Sequence, residues 1–243
     1  LAEVDYLTNE HMFSLEQLPG SLLILGAGPI GAEMALAYTR LGTEVTLLER
    51  ADRILPGSEP FMSDRLQDVL EQEGVRVITG TEAVMVSTDD SVGQGIMVAL
   101  SDGSEISAER ILVASGRRPV LDSLELDVAG IDYDARGIKV DRRMRTSNKR
   151  IYACGDVTGI MPLTHVAEHQ AGTVIANVVF RMPRKISYDV IPTVVYTDPE
   201  VASVGISEQQ CLAHRKGKVH TFDAGKLDRA ITDRQAVGEA RIL

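Results

Sequence analysis

Tryptophan is absent from the 243 residues, and cysteine occurs only twice, at Cys154 and Cys211. Two distant cysteines exclude a disulfide scaffold and any C-x-x-C metal ribbon, so a reducing compartment, the cytoplasm by default, is expected. A basic surplus is also missing: 25 Lys and Arg face 35 Asp and Glu, for a formal charge of −10. With no basic stripe interleaved with aromatics, no nucleic-acid partner is expected. The one basic run, "RRMRTSNKR" (142–150), contains no aromatic residue and reads as a solvated loop or strand rim. No apolar run approaches the ~18 residues of a membrane span, because Glu33 and Arg40 interrupt the most apolar region. A basic-then-apolar leader is missing too. The chain begins at Leu1 and stops inside the strand-like "GEARIL", which reads as a piece cut from a longer protein.

What is present is ordinary globular material, 44% apolar and 25% charged, enough for one or two domains. "SLLIL" (21–25) is a continuous apolar run of the kind that forms a strand buried on both faces. Pro29 to Leu41 reads as a helix closed by Gly42 at the C′ position, and "EVTLLE" (44–49) as the next strand. Pro60 opens a second helix with Phe61, Leu66, Val69 and Leu70 on its apolar face, ended by Gly74 and followed by the strand "VRVIT" (75–79). Residues 21–79 therefore read βαβαβ, the doubly wound α/β pattern with a parallel sheet. Three short β runs follow, "AVMVS", "IMVAL" and "ISAERILVASG", separated by the turn-rich "TDDSVGQG" and "SDGS", as in a β-meander. "GIKVD" and "RIYACGD" read as further strands, "THVAEHQAGTVIANVVF" (164–180) as a long helix, "SEQQCLAHR" as a helix and "KVHTFD" as a strand.

Gly26-Ala27-Gly28-Pro29-Ile30-Gly31 fits G-x-G-x-x-G between a strand and a helix. The first glycine permits the tight turn, the second lets a pyrophosphate approach the backbone, and the third lets helix and strand pack closely. The helix N-terminus would then hold the anion. Glu49, about 20 residues on, stands where an acid accepts hydrogen bonds from the adenine-side ribose and repels a 2′-phosphate, which favours NAD over NADP. Arg50 and Arg53 keep NADP open, since a neighbouring arginine can hold that phosphate. Glu33 has two readings, a first-turn acid suited to the helix dipole or a functional group near the bound nucleotide.

"ILVASGRRPV" (111–120), "RTSNKRIYACGDVTG" (145–159), "LTHVAEHQAG" (163–172) and "IPTVVYTDPEVASVG" (191–205) follow in that order. Together they resemble the flavin-dependent pyridine nucleotide-disulfide oxidoreductases, above all dihydrolipoamide dehydrogenase and mercuric reductase, over essentially the whole chain. The resemblance implies a Rossmann-type NAD(P)-binding domain with a β-meander over 1–115, the C-terminal half of an FAD domain over 116–185, and the start of an α+β dimerisation domain over 186–243. It assigns Gly26, Ala27, Gly28, Pro29, Ile30, Gly31, Glu49 and Arg50 to the nucleotide, Glu33 and Gly116 to its nicotinamide end, and Ala83 or Val84 to the adenine. It assigns Gly155 and Asp156 to the flavin ribityl chain, and Thr164 and His165 to the helix start facing the flavin pyrimidine ring. A helix N-terminus has an independent reason to be there, since it stabilises charge on a reduced flavin.

Members of the family open with their own glycine turn for FAD and a C-x-x-x-x-C pair, and end with a His and Glu pair; none of these stands in this sequence. The chain is accordingly expected to bind a dinucleotide without turnover, as the core of a homodimeric FAD-dependent parent that passes hydride between NAD(H), flavin and a disulfide or related acceptor. Cys154 is expected to be a buried small apolar residue. Other readings remain: an NADH oxidase or transhydrogenase-like flavoprotein without the cysteine pair, or a non-catalytic NADH-binding module. "HVAEH" (165–169) matches the H-x-x-E-H zinc arrangement, but it lies directly behind the flavin motif and is read as coincidence, with no metal expected.

Overall fold

The computed structural model describes residues 4–89, 95–214, 217–233 and 236–243. It forms two compact units, one made of Leu1–Gly116 and Thr193–Leu243, the other of Arg117–Pro192.

In the first unit, β1 (Ser21–Leu25), α1 (Pro29–Arg40), β2 (Glu44–Leu48), α2 (Pro60–Gln72) and β3 (Arg76–Ile78) follow the expected βαβαβ course. The β4 (Ala83–Asp89), β5 (Gly95–Leu100) and β6 (Glu105–Ala108) strands form an antiparallel meander, and β7 (Arg110–Val113) returns to the main sheet. That sheet is parallel, in the order β3-β2-β1-β7, with β1 inside it. The turn expected between β4 and β5 falls at 90–94, outside the described residues.

The apolar run of β1 has a use on both faces. Leu22 and Ile24 point into a core shared with Ala32, Ala35 and Leu36 of α1 and Leu66 and Leu70 of α2. Leu23, one residue out of phase, enters a second core with Val98, Leu100, Ile106 and Ile111, beneath the meander. The period of two thus divides one strand between a helical layer and a β layer. Phe61 departs from the expected apolar face of α2: it is only half-buried, and the guanidinium of Arg241 lies 3.8 Å from its ring centroid. Both helices start with proline, and α1 is closed by Gly42 at φ 102°, whose N–H donates to the Thr39 carbonyl at 2.9 Å.

The second unit carries a short hairpin, β8 (Tyr133–Asp134) with β9 (Gly137–Ile138), and the helix α3 (Thr164–Val178). Its small core gathers Leu126, Ile131, Ile138 and Ala153. "RIYACGD" is not a strand; it makes a single bridge, Arg145 to Tyr152, before Gly155 at φ 80° turns the chain away.

Residues from Thr193 onward form β10 (Thr193–Val195), β11 (Val201–Ser203), α4 (Glu208–Ala213), β12 (His220–Asp223), α5 (Asp228–Thr232) and β13 (Glu239–Ile242). β10 pairs antiparallel with β11, and β12 with β13. Ser207 and Gln210 make a capping box on α4, while the Glu208 N–H donates to Glu59 Oε1 at 2.9 Å. Arg40, at the end of α1, donates to Glu73 at 2.6 Å and to Asp198 at 2.9 Å, joining both helices to the turn after β10. The Arg40 hydrogen bond holds the Glu73 carboxyl below its usual pKa. A folded pKa below the unfolded one contributes stability above the unfolded value and loses it as pH falls through the folded one. Arg40 is 41% exposed and Glu73 33%, so solvent screening keeps the contribution under about 1 kcal/mol. Arg40→Met is therefore expected to melt slightly below the wild type at pH 7, and thermal denaturation should show that gap closing below about pH 4.

Among the described residues no helix is long and apolar enough to cross a membrane.

Candidate functional site

Parallel pairing brings three strand ends to one edge. Leu25 is in register with Leu48 on one side and Val113 on the other, so Gly26, Glu49 and Ala114 leave the sheet side by side. The chain runs from β1 outward through β2 and β3, then returns with β7 on the opposite side of β1. That reversal makes a switch point at the carboxyl edge, the place where open α/β sheets receive ligands.

Three glycines shape this point for different reasons. Gly26 has φ 100°, and a Cβ there would stand 2.7 Å from the Ala114 carbonyl oxygen and 2.8 Å from Ser115 Cα. A Cβ on Gly31 would run into the Gly26 carbonyl oxygen. Both are thus required by packing within the protein. Gly28 differs: a Cβ there would meet nothing within 4 Å, and its backbone, φ −71° and ψ −173°, suits any residue. Neither packing nor backbone conformation within the protein requires a glycine at this position. Gly28 is also the N-cap of α1, where no side chain caps the first-turn amides and Pro29 removes one of them. An unfilled space in front of uncapped N–H groups fits a pyrophosphate.

The loop after β2 closes over the turn. The Leu55 N–H donates to the Ala27 carbonyl at 2.8 Å, Leu55 is buried at φ 43°, and the Ser63 hydroxyl donates to the Ile54 carbonyl. Nothing in the sequence signals this contact, because it depends on a left-handed leucine. Glu49 is half-buried and accepts the Ala27 N–H at 2.8 Å and the Ala51 N–H at 3.0 Å. Arg50 is exposed beside it, and Arg53 faces Asp52 at 3.5 Å. Ile30 is half-buried in the first turn of α1, Ala83 is half-buried, Val84 is 60% exposed, and Gly116 is exposed at φ 146°.

Glu33 is not the first-turn acid of the sequence reading: the helix begins at Pro29, and its first turn holds no acid. Its carboxylate instead accepts the Tyr196 N–H at 2.9 Å, tying α1 to the segment after β10.

Within the second unit, Asp156 is exposed and accepts from Arg117 Nη2 at 2.8 Å, while Arg117 Nη1 donates to the Pro162 carbonyl at 3.2 Å. The helix α3 starts at Thr164 with no side-chain cap; the Val166 and Ala167 N–H groups donate to the Leu163 carbonyl, each at 3.0 Å, which leaves the amides of Thr164 and His165 to another acceptor. Thr164 and His165 are exposed, and His165 Nε2 lies 2.9 Å from the Pro192 carbonyl oxygen. An exposed carboxylate and an uncapped helix start are the acceptor and donors that a ribityl chain and a flavin pyrimidine ring need, so these residues fit FAD.

Gln170 was not foreseen, although a glutamine in so apolar a helix is itself a signal. Fully buried, it accepts the Gly155 N–H at 2.6 Å and donates to the Tyr188 hydroxyl at 3.0 Å. Gln170→Leu would strand the Gly155 N–H, so a loss of about 1–3 kcal/mol is expected by denaturant unfolding.

Cys154 corrects the sequence reading, for it is exposed. Ala153 occupies the core position, at 7% exposure, and the next residue along the extended chain faces the other way. Of the "HVAEH" side chains, His165 faces a backbone carbonyl oxygen, and no group of three or more His, Cys, Asp or Glu able to hold a metal occurs among the described residues.

A parallel sheet with a glycine turn at its switch point defines the class as a doubly wound α/β protein. Comparison narrows it: the family model for pyridine nucleotide-disulphide oxidoreductases matches residues 1–171, and the model for that family's dimerisation domain matches 191–243. The chain belongs to the pyridine nucleotide-disulphide oxidoreductase family. It is 33% identical to a mercuric reductase of Bacillus cereus over all of this chain and 39% of that protein. It is 35% identical to a dihydrolipoyl dehydrogenase of Bacillus subtilis over 98% of this chain and 51% of that protein. Among solved structures, the HOCl-induced flavoprotein disulfide reductase RclA of Escherichia coli superposes with a TM-score of 0.91 at 27% identity, covering 99% of this chain and 55% of that one. LpdA of Mycobacterium tuberculosis gives a TM-score of 0.89 at 29% identity, over 97% of this chain and 51% of that one. The chain thus spans about half the length of most of these relatives.

Proposed function

We propose that the chain binds NAD(H) at the glycine turn and serves as the pyridine-nucleotide arm of a FAD-dependent oxidoreductase. The observation that carries this reading is the bare space at Gly28 before the uncapped start of α1. Gly26 and Gly31 shape the turn, the first amides of α1 receive the pyrophosphate, and Glu49 takes the adenine-side ribose. Glu49 also disfavours a 2′-phosphate, so NAD is preferred to NADP. Val84 and Ala83 border the adenine, and Gly116 the nicotinamide end. In the second unit, Asp156 holds the ribityl chain of FAD, and the α3 start at Thr164 and His165 faces its pyrimidine ring. Flavin, when bound, supplies hydride relay between nicotinamide and a disulfide or another acceptor.

In this reading the domains run 1–115 for NAD(P), 116–185 for FAD and 186–243 for dimerisation, and the protein works as a homodimer in the cytoplasm. The match of residues 191–243 to a dimerisation domain supports the homodimer. The relatives named for mercuric ion, dihydrolipoyl groups and disulfides support an electron-transfer role.

Isothermal titration with NADH and NADPH tests the proposal. One NADH per chain is expected, at least about tenfold tighter than NADPH, since the wrong charge beside Glu49 costs more than about 1.4 kcal/mol. A folded chain that binds neither would overturn the reading.

A further inference from the structure

Glu49 is expected to face a ribose, yet both of its oxygens have protein partners. Oε2 accepts the Ala27 N–H at 2.8 Å and Oε1 the Ala51 N–H at 3.0 Å. Ala27 is the second residue of the glycine turn and is 0% exposed. Its carbonyl accepts the Leu55 N–H at 2.8 Å, so both of its backbone polar groups are held from outside the turn, one of them by Glu49. A carboxylate that only selected a ribose would need neither amide.

We propose that Glu49 is a positioning residue for the phosphate-binding turn. Its carboxylate pins Ala27 against the end of β2, and through Ala27 sets Gly28 and the first amides of α1 before a nucleotide arrives. Rotation of the side chain is removed by the same two bonds. Each carboxylate oxygen has about two lone-pair sites. One backbone amide on each leaves one site on each, and a ribose diol offers two hydroxyl donors. The two tasks are therefore compatible, and the amide pair aims the carboxylate for the diol. This inference rests on the reading of the turn as the NAD site.

Both amides need a carboxylate rather than an amide side chain. Glutamine offers one acceptor oxygen, and its NH2 group would face the second N–H donor to donor. The isosteric Glu49→Gln change is thus the informative one.

The test is amide hydrogen exchange, followed by NMR, on the nucleotide-free protein and its Glu49→Gln variant. In the wild type the Ala27 and Ala51 N–H groups should exchange at least about tenfold more slowly than those of Ile30 and Gly31, which lack intrahelical acceptors. In the variant that protection should fall by about tenfold at one or both sites, with Val98 in β5 unchanged, and affinity for NADH should drop. Equal exchange at Ala27 and Ile30 in the wild type would overturn the proposal, and this arm holds even if the variant does not fold. Unchanged protection in the variant would also overturn it, leaving an acid that selects the ribose alone. Failure of the wild type to bind NADH overturns the NAD reading instead, and is told apart because the exchange arm uses no nucleotide.

Discussion

Gly28→Asp is expected to abolish NADH binding while leaving the melting temperature at or above that of the wild type. The two effects separate because nothing within the protein requires a glycine at position 28. Its φ of −71° and ψ of −173° are open to any residue, and a Cβ would meet nothing within 4 Å. Aspartate is among the best N-cap residues, and a negative charge at that end of α1 suits the helix dipole, so the unliganded protein should lose nothing. A pyrophosphate would face a carboxylate at about 4 Å, where like charges at an effective dielectric near 20 repel by about 4 kcal/mol. That is on the order of a thousandfold in affinity. Titration calorimetry beside a thermal melt reads both numbers, and a variant that still binds NADH tightly would remove Gly28 from the site.

Gly26→Ala should do the reverse and damage the fold itself. The added Cβ would lie 2.7 Å from the Ala114 carbonyl oxygen and 2.8 Å from Ser115 Cα, both backbone atoms leaving β7, at a φ of 100° that L side chains avoid. Neither neighbour can rotate away. The turn must shift against the end of β7, and the Gly26 N–H bond to the Leu48 carbonyl, 2.8 Å long, shifts with it. Overpacking with backbone strain should cost about 3–5 kcal/mol, or roughly 10 °C in melting temperature for a protein of this size. Scanning calorimetry checks it, and an unchanged melt would show that the turn gives way easily. Gly26→Ala and Gly28→Asp thus form a matched pair, one losing stability and the other affinity, two residues apart.

Much of the fold was legible because it rests on local period. The run "SLLIL", the proline starts and glycine ends of α1 and α2, and the alternation of the meander each follow from neighbours a few positions away. The failures fall where a local pattern was overruled. Cys154 sits in an apolar-looking stretch, but Ala153 takes the core side and Gly155 turns the chain, so the thiol faces out. Glu33 looked like a dipole partner, whereas its acceptor role serves the Tyr196 amide, 163 positions along the chain. Phe61 matched an apolar face and instead lies under Arg241.

The site divides in the same way. G-x-G-x-x-G, the strand before it, the helix after it and an acid at position 49 are short-range features, and by themselves they determined the fold class, while the four later motifs from "ILVASGRRPV" to "IPTVVYTDPEVASVG" determined the family. Only the tertiary structure decided which glycine packing requires and which it leaves free, since that depends on Ala114, brought to Gly26 by parallel pairing of β1 with β7. It alone decided that Leu55 and Glu49 grip Ala27 from opposite sides and that Gln170 holds Gly155. Hydrogen bonds and steric contacts act over about 3 Å, and sequence distance carries no information about which groups the folded chain brings within that range.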